Sequence, residues 1–362
     1  MYYKSVTVKV GSNVLTRSDG MLDYQRIEHL TNQIADLHKR GVRVILVSSG
    51  AVAAGRSMVK DLPSKDPVSQ RQLLSSVGQV KLVNLYSELF DKQGITCAQV
   101  LVTKQDFSTR EHYLNMKNCL SVLLENDIIP VINENDAVSV TALMFTDNDE
   151  LAGMVSSMMN TGALFVLSNV DGIYTGIPGS EGAELVPVIG EDQKQLEDYI
   201  SATQSNFGRG GMLTKCRVAQ KTAASGTAVH IANGTRENVI TTLAEAPESL
   251  NHTRFVTSGP RPAIKKWMAY SEGFAKAEVV VNSGAKSALT GPKARSLLLA
   301  GVVRIKGDFK KGDLLRIRDE EGHLIGIGRA QYERSVADRH LHDARYRPLI
   351  HYDYLFIYPN AV

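Results

Sequence analysis

The chain has 362 residues, 43% of them hydrophobic and 22% charged, with a formal net charge of +3. At roughly 150 residues per domain that length allows two domains or three, each large enough to bury a core without disulfides. The composition excludes collagen-like, low-complexity and largely disordered chains, and no apolar run approaches the ~18 residues of a transmembrane helix.

The first ten residues, MYYKSVTVKV, alternate and hold no apolar stretch of signal-peptide length, so no leader and no membrane partner are expected. Val6–Val10 reads as a short strand that ends in Lys9-Val10-Gly11-Ser12. Over residues 24–40, Ile27, Leu30, Ile34 and Leu37 share one face, which predicts a helix. VRVILV at 42–47 is an unbroken apolar run, the mark of a strand buried on both faces. A helix is expected from Gly50 to Arg56 and a long one within 67–93. Strands follow at Ala98–Val102, Ile128–Ile132, Leu164–Leu167 and Ala228–Ile231, with helices between most of them and one over 212–225.

Strands alternating with helices specify an α/β fold: an open, mostly parallel sheet covered by helices on both faces. Ligands in such sheets bind at the C-terminal ends of the strands. KVGSN, SSGAV and SNVDG fall there, and NENDAV just past its strand. After about Arg254 the pattern changes. RFVTSGPRPAIKKW reads as a linker, and short strands separated by Gly307, Gly312 and Gly322 follow, with one short helix near 286–299. Residues 273–362 carry 15 Lys and Arg against 10 Asp and Glu, a basic tail on a near-neutral body. Cys97, Cys119 and Cys216 fit neither a zinc pattern nor a disulfide framework, so a reducing, cytoplasmic location is expected.

Four segments carry chemistry. Gly50-Ala-Val-Ala-Ala-Gly55-Arg56-Ser57 nearly fits the phosphate-loop pattern GxxxxGK[ST]. Arg56 replaces the required Lys, which it does not match, and Ala-Val-Ala-Ala favours helix over an open loop. The better reading is a helix capped by Ser49 or Gly50, whose N-terminus suits a carboxylate. Gly208-Arg209-Gly210-Gly211-Met212-Leu213-Thr214-Lys215 is a glycine-rich loop entering a helix. Its backbone N–H groups can approach phosphate, with Lys215 about one turn in. Lys9, before a glycine turn, suits a phosphate clamp. Asn133-Glu134-Asn135-Asp136 and Asp147-Asn148-Asp149 can bind an ammonium, orient lysines or hold Mg²⁺. Each has a plain alternative in a solvated lysine, a surface loop or an Asx turn. Together they form the inventory of phosphoryl transfer, which works by positioning and charge stabilisation.

The set KVGSNVL, SSGAVAAG, NENDAV, DND, VDGIYT, GRGGMLTK and IANG, in that order from Lys9 to about Trp267, resembles the amino-acid kinase family, in its glutamate-phosphorylating branch. The tail, from SGAKSAL through LLLAGVVRIKGDFKKGDLLRIRD to GIGRAQY, resembles a PUA domain, a small mostly-β barrel. The resemblance implies a kinase domain over 1–258, a linker over 259–272 and a PUA domain over 273–362. It implies ATP-dependent phosphorylation of the γ-carboxylate of L-glutamate to L-glutamyl 5-phosphate, the first step of proline biosynthesis, with Mg²⁺ required. Lys9 and Lys215 would contact the transferring phosphoryl group, and Asp149 would hold both lysines. Ser49, Asp136 and Asn148 would bind glutamate. Ser168, Asn169, Arg209, Gly210, Gly211, Met212, Leu213, Thr214 and Lys215 would line the ATP site, with Lys9 reaching into it. No side chain is assigned to a metal. The family usually has Thr-Asp at Ser168-Asn169, and Thr or Ser at Arg209, so the departures fall on the nucleotide side. A homo-oligomer and feedback inhibition by proline are also implied. The alternatives are a sibling kinase acting on aspartate, N-acetylglutamate or carbamate, or an RNA-binding protein working through the basic tail. Lys9, Asp149 and Lys215 together argue against RNA binding as the main function.

Overall fold

The computed structural model describes residues 1–59, 66–139, 145, 147–190, 211–257, 259, 262–291, 293 and 295–358. They divide into two compact units, residues 1–259 and 260–362.

The first unit is built on one sheet of eight strands: β1 (Ser5–Val10), β2 (Arg43–Ser48), β3 (Cys97–Val102), β4 (Ile129–Glu134), β5 (Ala163–Ser168), β6 (Val188–Ile189), β7 (Ala228–Asn233) and β8 (His252–Phe255). Their spatial order is β3-β4-β2-β1-β5-β7-β8-β6. β8 runs antiparallel to β7, with β6 parallel to β8, and the other pairings are parallel. The unbroken apolar runs at β2, β4 and β5 have no polar face because both sides of the sheet are covered: β4 and β5 are buried throughout. β4 begins one residue later than expected and reaches Glu134, so Asn133 and Glu134 belong to the strand end rather than to a loop beyond it. The short β6 and β8 carry too few residues for a local pattern and were not legible in the sequence.

β1 is central, with Lys9 beside Val47 of β2 and Val166 of β5. The chain fills one side of β1 before crossing to β5 on the other, which makes the C-terminal end of β1 a topological switch point. Helices α1 (Ser12–Leu15), α2 (Tyr24–Lys39), α3 (Ala51–Arg56), α4 (Pro67–Asp91), α5 (Arg110–Glu125) and α6 (Asn148–Met159) follow, then α7 (Met212–Ala224) and α8 (Val239–Glu245). The α2 helix starts at Asp23, whose side chain accepts from the Arg26 N–H, and buries Ile27, Leu30, Ile34 and Leu37 as the spacing predicts.

The near phosphate loop resolves as α3, with Gly50 at its N-cap in the left-handed region at φ +106°. Gly55 serves packing. A Cβ there would lie 2.0 Å from the Leu74 carbonyl oxygen, and one on Gly78 would lie 1.9 Å from that of Ala51. These two glycines let α3 and α4 touch backbone to backbone.

In the second unit, β9 (Ala277–Val281), β10 (Val302–Lys306), β11 (Leu314–Arg318), β12 (Leu324–Ala330) and β13 (Ile350–Ile357) form a mixed sheet in the order β10-β9-β11-β12-β13. Val279, Val281, Leu315, Ile317 and Ile325 are among its own core. Gly307, Gly312 and Gly322 all take positive φ, as turns between strands require. Two expectations are corrected. The stretch read as a linker, 259–272, contains α9 (Ala263–Ala269), whose Trp267 and Met268 are buried and which packs against β13. The short helix is α10 (Ser283–Thr290), capped by Asn282, and it ends where Gly291 begins. Leu297, expected to be helical, instead bridges to Ile350. Among the described residues no helix is long and apolar enough to cross a membrane.

Candidate active site

A cavity of about 730 Å³ opens at the C-terminal ends of β1, β2, β4 and β5. Lys9, Ser49, Asp136, Asn148, Ser168, Asn169, Met212 and Lys215 all line it, so most of the expected site residues converge. Gly211 caps α7, and Leu213 and Thr214 lie in its first turn, but these three are not in the wall. Arg209 and Gly210 lie outside the described residues.

Asp149 is not in the cavity wall: it is buried, and it pairs with Lys9 and Lys215, which are. It occupies the first turn of α6, where the Asp147 side chain caps the helix by accepting from the Asp149 and Glu150 N–H groups. One carboxylate oxygen is 2.6 Å from Lys9 Nζ, at the end of β1, and the other is 2.5 Å from Lys215 Nζ, one turn into α7. Asp149 is 1% exposed and Lys9 4%. Burial opposes ionisation of Asp149, but the two ammonium groups overcome it and hold the carboxyl well below the usual range. Burial works against the Lys215 charge in the same way, and Asp149 more than restores it. The three side chains together carry a net +1 at the end of β1. Gly11 keeps that charge accessible, since a Cβ there would lie 3.3 Å from Lys9 Nζ. At the start of α7, Gly211 provides no side-chain cap.

Asp147 has the opposite character. Burial and the neighbouring Asp149 charge push its carboxyl up to about 6, and among the described residues its Oδ2 is buried without a hydrogen-bond partner.

On the other side of the cavity, Asn148 Nδ2 donates to Ser49 Oγ at 2.8 Å and to Asn133 Oδ1 at 3.0 Å. Asp136 is paired with Arg71 of α4, which also reaches Glu134 at 3.5 Å. Burial raises the Glu134 pKa, and its Oε1 accepts from Ser139 Oγ and the Phe145 N–H, which ties Ser139 and Phe145 to the end of β4. One face of α4 thus holds this region: Arg71 on Asp136, Gln72 on the Ala137 carbonyl, Gln79 on Asn133. Nothing in the sequence singles out Arg71 and Gln79 beyond their i, i+8 spacing, since α4 carries polar residues along its whole length. Arg56 lines the cavity from the end of α3, on the Ser49 side. Gly234 of IANG has a packing role, since a Cβ there would lie 2.7 Å from the Val14 side chain.

The family model described as Amino acid kinase family matches residues 4–233, and that of the PUA domain matches 277–342. The chain belongs to the amino acid kinase family. Among curated members it is 50% identical to a glutamate 5-kinase of Bacteroides thetaiotaomicron, over 98% of this chain and 99% of that one. It is 46% identical to a glutamate 5-kinase of Chlorobaculum tepidum, over 99% and 98%. Among solved structures it resembles the carbamate kinase from Giardia lamblia bound to AMP-PNP, with a TM-score of 0.52 and 17% identity, over 70% of this chain and 99% of that one. That likeness establishes the amino acid kinase fold of the first unit.

Proposed function

We infer that the chain transfers the γ-phosphoryl group of ATP to the γ-carboxylate of L-glutamate, giving L-glutamyl 5-phosphate and ADP, the first step of proline biosynthesis. The observation that carries this is the bridge from Lys9 through the buried Asp149 to Lys215, both lysines lining the cavity. The names of the two full-length relatives select glutamate among the acids such a centre could phosphorylate.

In our reading Lys9 and Lys215 bracket the moving phosphoryl group and stabilise charge as it passes to the leaving oxygen. Asp149 fixes both ammonium groups in advance and takes no proton. The γ-carboxylate attacks phosphorus in line, so no covalent enzyme intermediate is needed. The α-ammonium meets Asp136, which Arg71 orients, and the α-carboxylate meets Ser49 at the N-terminus of α3. Ser168, Asn169 and the start of α7 take the nucleotide side. The orphaned Oδ2 of Asp147 is a hard oxygen donor that fits a divalent cation. Asp147 would hold the Mg²⁺ that accompanies ATP, and when bound the ion neutralises the β,γ-phosphates.

Three further readings belong here. The chain works as a homo-oligomer, since Val80 of α4 and Leu114 and Val122 of α5 leave apolar surface exposed. Proline acts as a feedback inhibitor, because it carries the same ammonium and carboxylate that Asp136 and Ser49 would hold. The location is cytoplasmic, where Cys97, Cys119 and Cys216 stay unpaired.

The test is ADP release with L-glutamate, L-aspartate, N-acetyl-L-glutamate and bicarbonate plus ammonia. L-Glutamate should be preferred by at least 100-fold in kcat/KM, because a site that pairs a polar group strongly rejects analogues lacking it. Equal turnover of N-acetyl-L-glutamate would move the chain to a sibling acid kinase.

A further inference from the structure

The orientation of the Asn148 amide follows from atoms whose identity is beyond question. The backbone N–H of Glu134 donates to one side-chain atom of Asn133 at 2.9 Å. A backbone N–H only donates, so that atom is the carbonyl oxygen Oδ1. The Asn148 atom 3.0 Å from the same oxygen is therefore a donor, Nδ2. Its second hydrogen goes to Ser49 Oγ. Both amide hydrogens are used within the protein, and among the described residues Asn148 Oδ1 is buried without a partner; Asn148 itself is one of the residues lining the cavity. The far end of Asn133 is held as well, its Nδ2 donating to Gln79 Oε1 at 2.9 Å. Gln79 lies in α4 and is not among the residues lining the cavity.

We propose that Gln79 is a positioning residue for substrate selection, resting on the glutamate reading above: it pins Asn133, Asn133 pins Asn148, and Asn148 then offers the substrate an acceptor only. An acceptor serves an α-ammonium and is of no use to a carboxylate. Ser49 Oγ, already accepting from Asn148, keeps its own hydrogen for the α-carboxylate. The relay therefore sorts the two α-groups of an amino acid without touching either from Gln79. Remove the Gln79 acceptor and Asn133 Nδ2 is left without its partner. The Asn133 amide then turns to find another, and its oxygen no longer holds Asn148.

Gln79 needs only to accept, so Gln79→Glu should preserve the relay. Gln79→Leu removes the acceptor, and Gln79→Asn withdraws it by one methylene. The experiment uses the full chain and measures KM for L-glutamate and ATP, kcat, and Ki for glutarate, which has both carboxylates and no ammonium. In Gln79→Leu and Gln79→Asn the L-glutamate KM should rise about tenfold. Glutarate Ki, ATP KM and kcat should stay within threefold, and Gln79→Glu should stay within threefold on every measure. A merely structural tie between α4 and β4 would weaken glutamate and glutarate together. That outcome overturns the inference, as would an unchanged glutamate KM in the Asn variant or a Glu variant as impaired as Leu. The Asn variant decides the matter if Leu does not fold. A wild type inert toward L-glutamate would overturn the parent reading and this inference with it. A wild type active on L-glutamate with any of the other contrary results overturns the inference alone.

Discussion

Asp149→Asn keeps the shape of the side chain and removes the one negative charge between Lys9 Nζ at 2.6 Å and Lys215 Nζ at 2.5 Å. Asp149 is almost fully buried, so water cannot screen what remains. At an effective dielectric of ~20, each contact has a Coulomb energy of about 6 kcal/mol. Most of that offsets desolvation, and removing one partner of a buried pair costs about 3–5 kcal/mol net. At ~2–4 °C per kcal/mol for a domain of this size, the Tm should fall by on the order of 10 °C. Catalysis should suffer more. The two ammonium groups repel each other out of position, and a misplacement of ~1 Å costs about 10²-fold. We expect kcat to fall by about 10³-fold or more once weakened charge stabilisation is included. ATP supplies negative charge at the same place, so saturating ATP should raise the variant's Tm more than the wild type's. ADP release and thermal unfolding with and without ATP read all three effects. A kcat within tenfold of wild type, or an unchanged Tm without nucleotide, would refute Asp149 as the holder of the lysines.

Gly78→Ala puts a Cβ 1.9 Å from the Ala51 carbonyl oxygen; α3 must move, which should cost about 1–3 kcal/mol and raise the glutamate KM more than the ATP KM, and urea unfolding with steady-state kinetics would contradict this by finding neither change. Arg56→Ala should leave the ATP KM within about twofold, because GAVAAGRS forms a helix rather than a phosphate loop; a large rise in ATP KM alone would revive the loop reading. His230 is buried, its Nδ1 2.9 Å from His252 Nε2 and its Nε2 2.7 Å from the Tyr3 hydroxyl. Burial first, then the neighbouring His252 and Arg254, lower its pKa to about 3. Its neutral form stabilises the fold fully above about pH 6.5, and that contribution is lost as pH falls from there toward 3. The wild-type minus His230→Gln difference in unfolding free energy should therefore shrink by about 2 kcal/mol between pH 7.5 and 5; a difference flat over that range would show that folding does not lower the His230 pKa.

The central strands were legible because burial on both faces leaves a signature inside each strand. VRVILV needs no distant partner to be recognised, and α2 declares its inner face by spacing alone. The lysines and acids were legible because strand-end polar residues beside glycine are costly unless used. The rest depends on contacts between distant parts of the chain. Gln79 and Arg71 are two of many polar residues on α4, and their roles exist only because β4 ends beside them. Gly55 fitted a phosphate-loop pattern, while its actual reason, the backbone of α4 against it, lies 19 residues away at Leu74. The α9 segment read as linker because its prolines and basic residues precede Trp267 and Met268, the two residues that dock it on β13.

The most direct test of phosphoryl transfer to a carboxylate follows the attacking oxygen. L-Glutamate labelled with ¹⁸O in its γ-carboxylate is incubated with ATP, Mg²⁺ and hydroxylamine, which cleaves the acyl phosphate at carbon. One ¹⁸O should then appear in the released phosphate for each γ-glutamyl hydroxamate formed. Phosphate without label, released at the rate of ADP formation, would mean that water takes the phosphoryl group and that the glutamate carboxylate is not the acceptor.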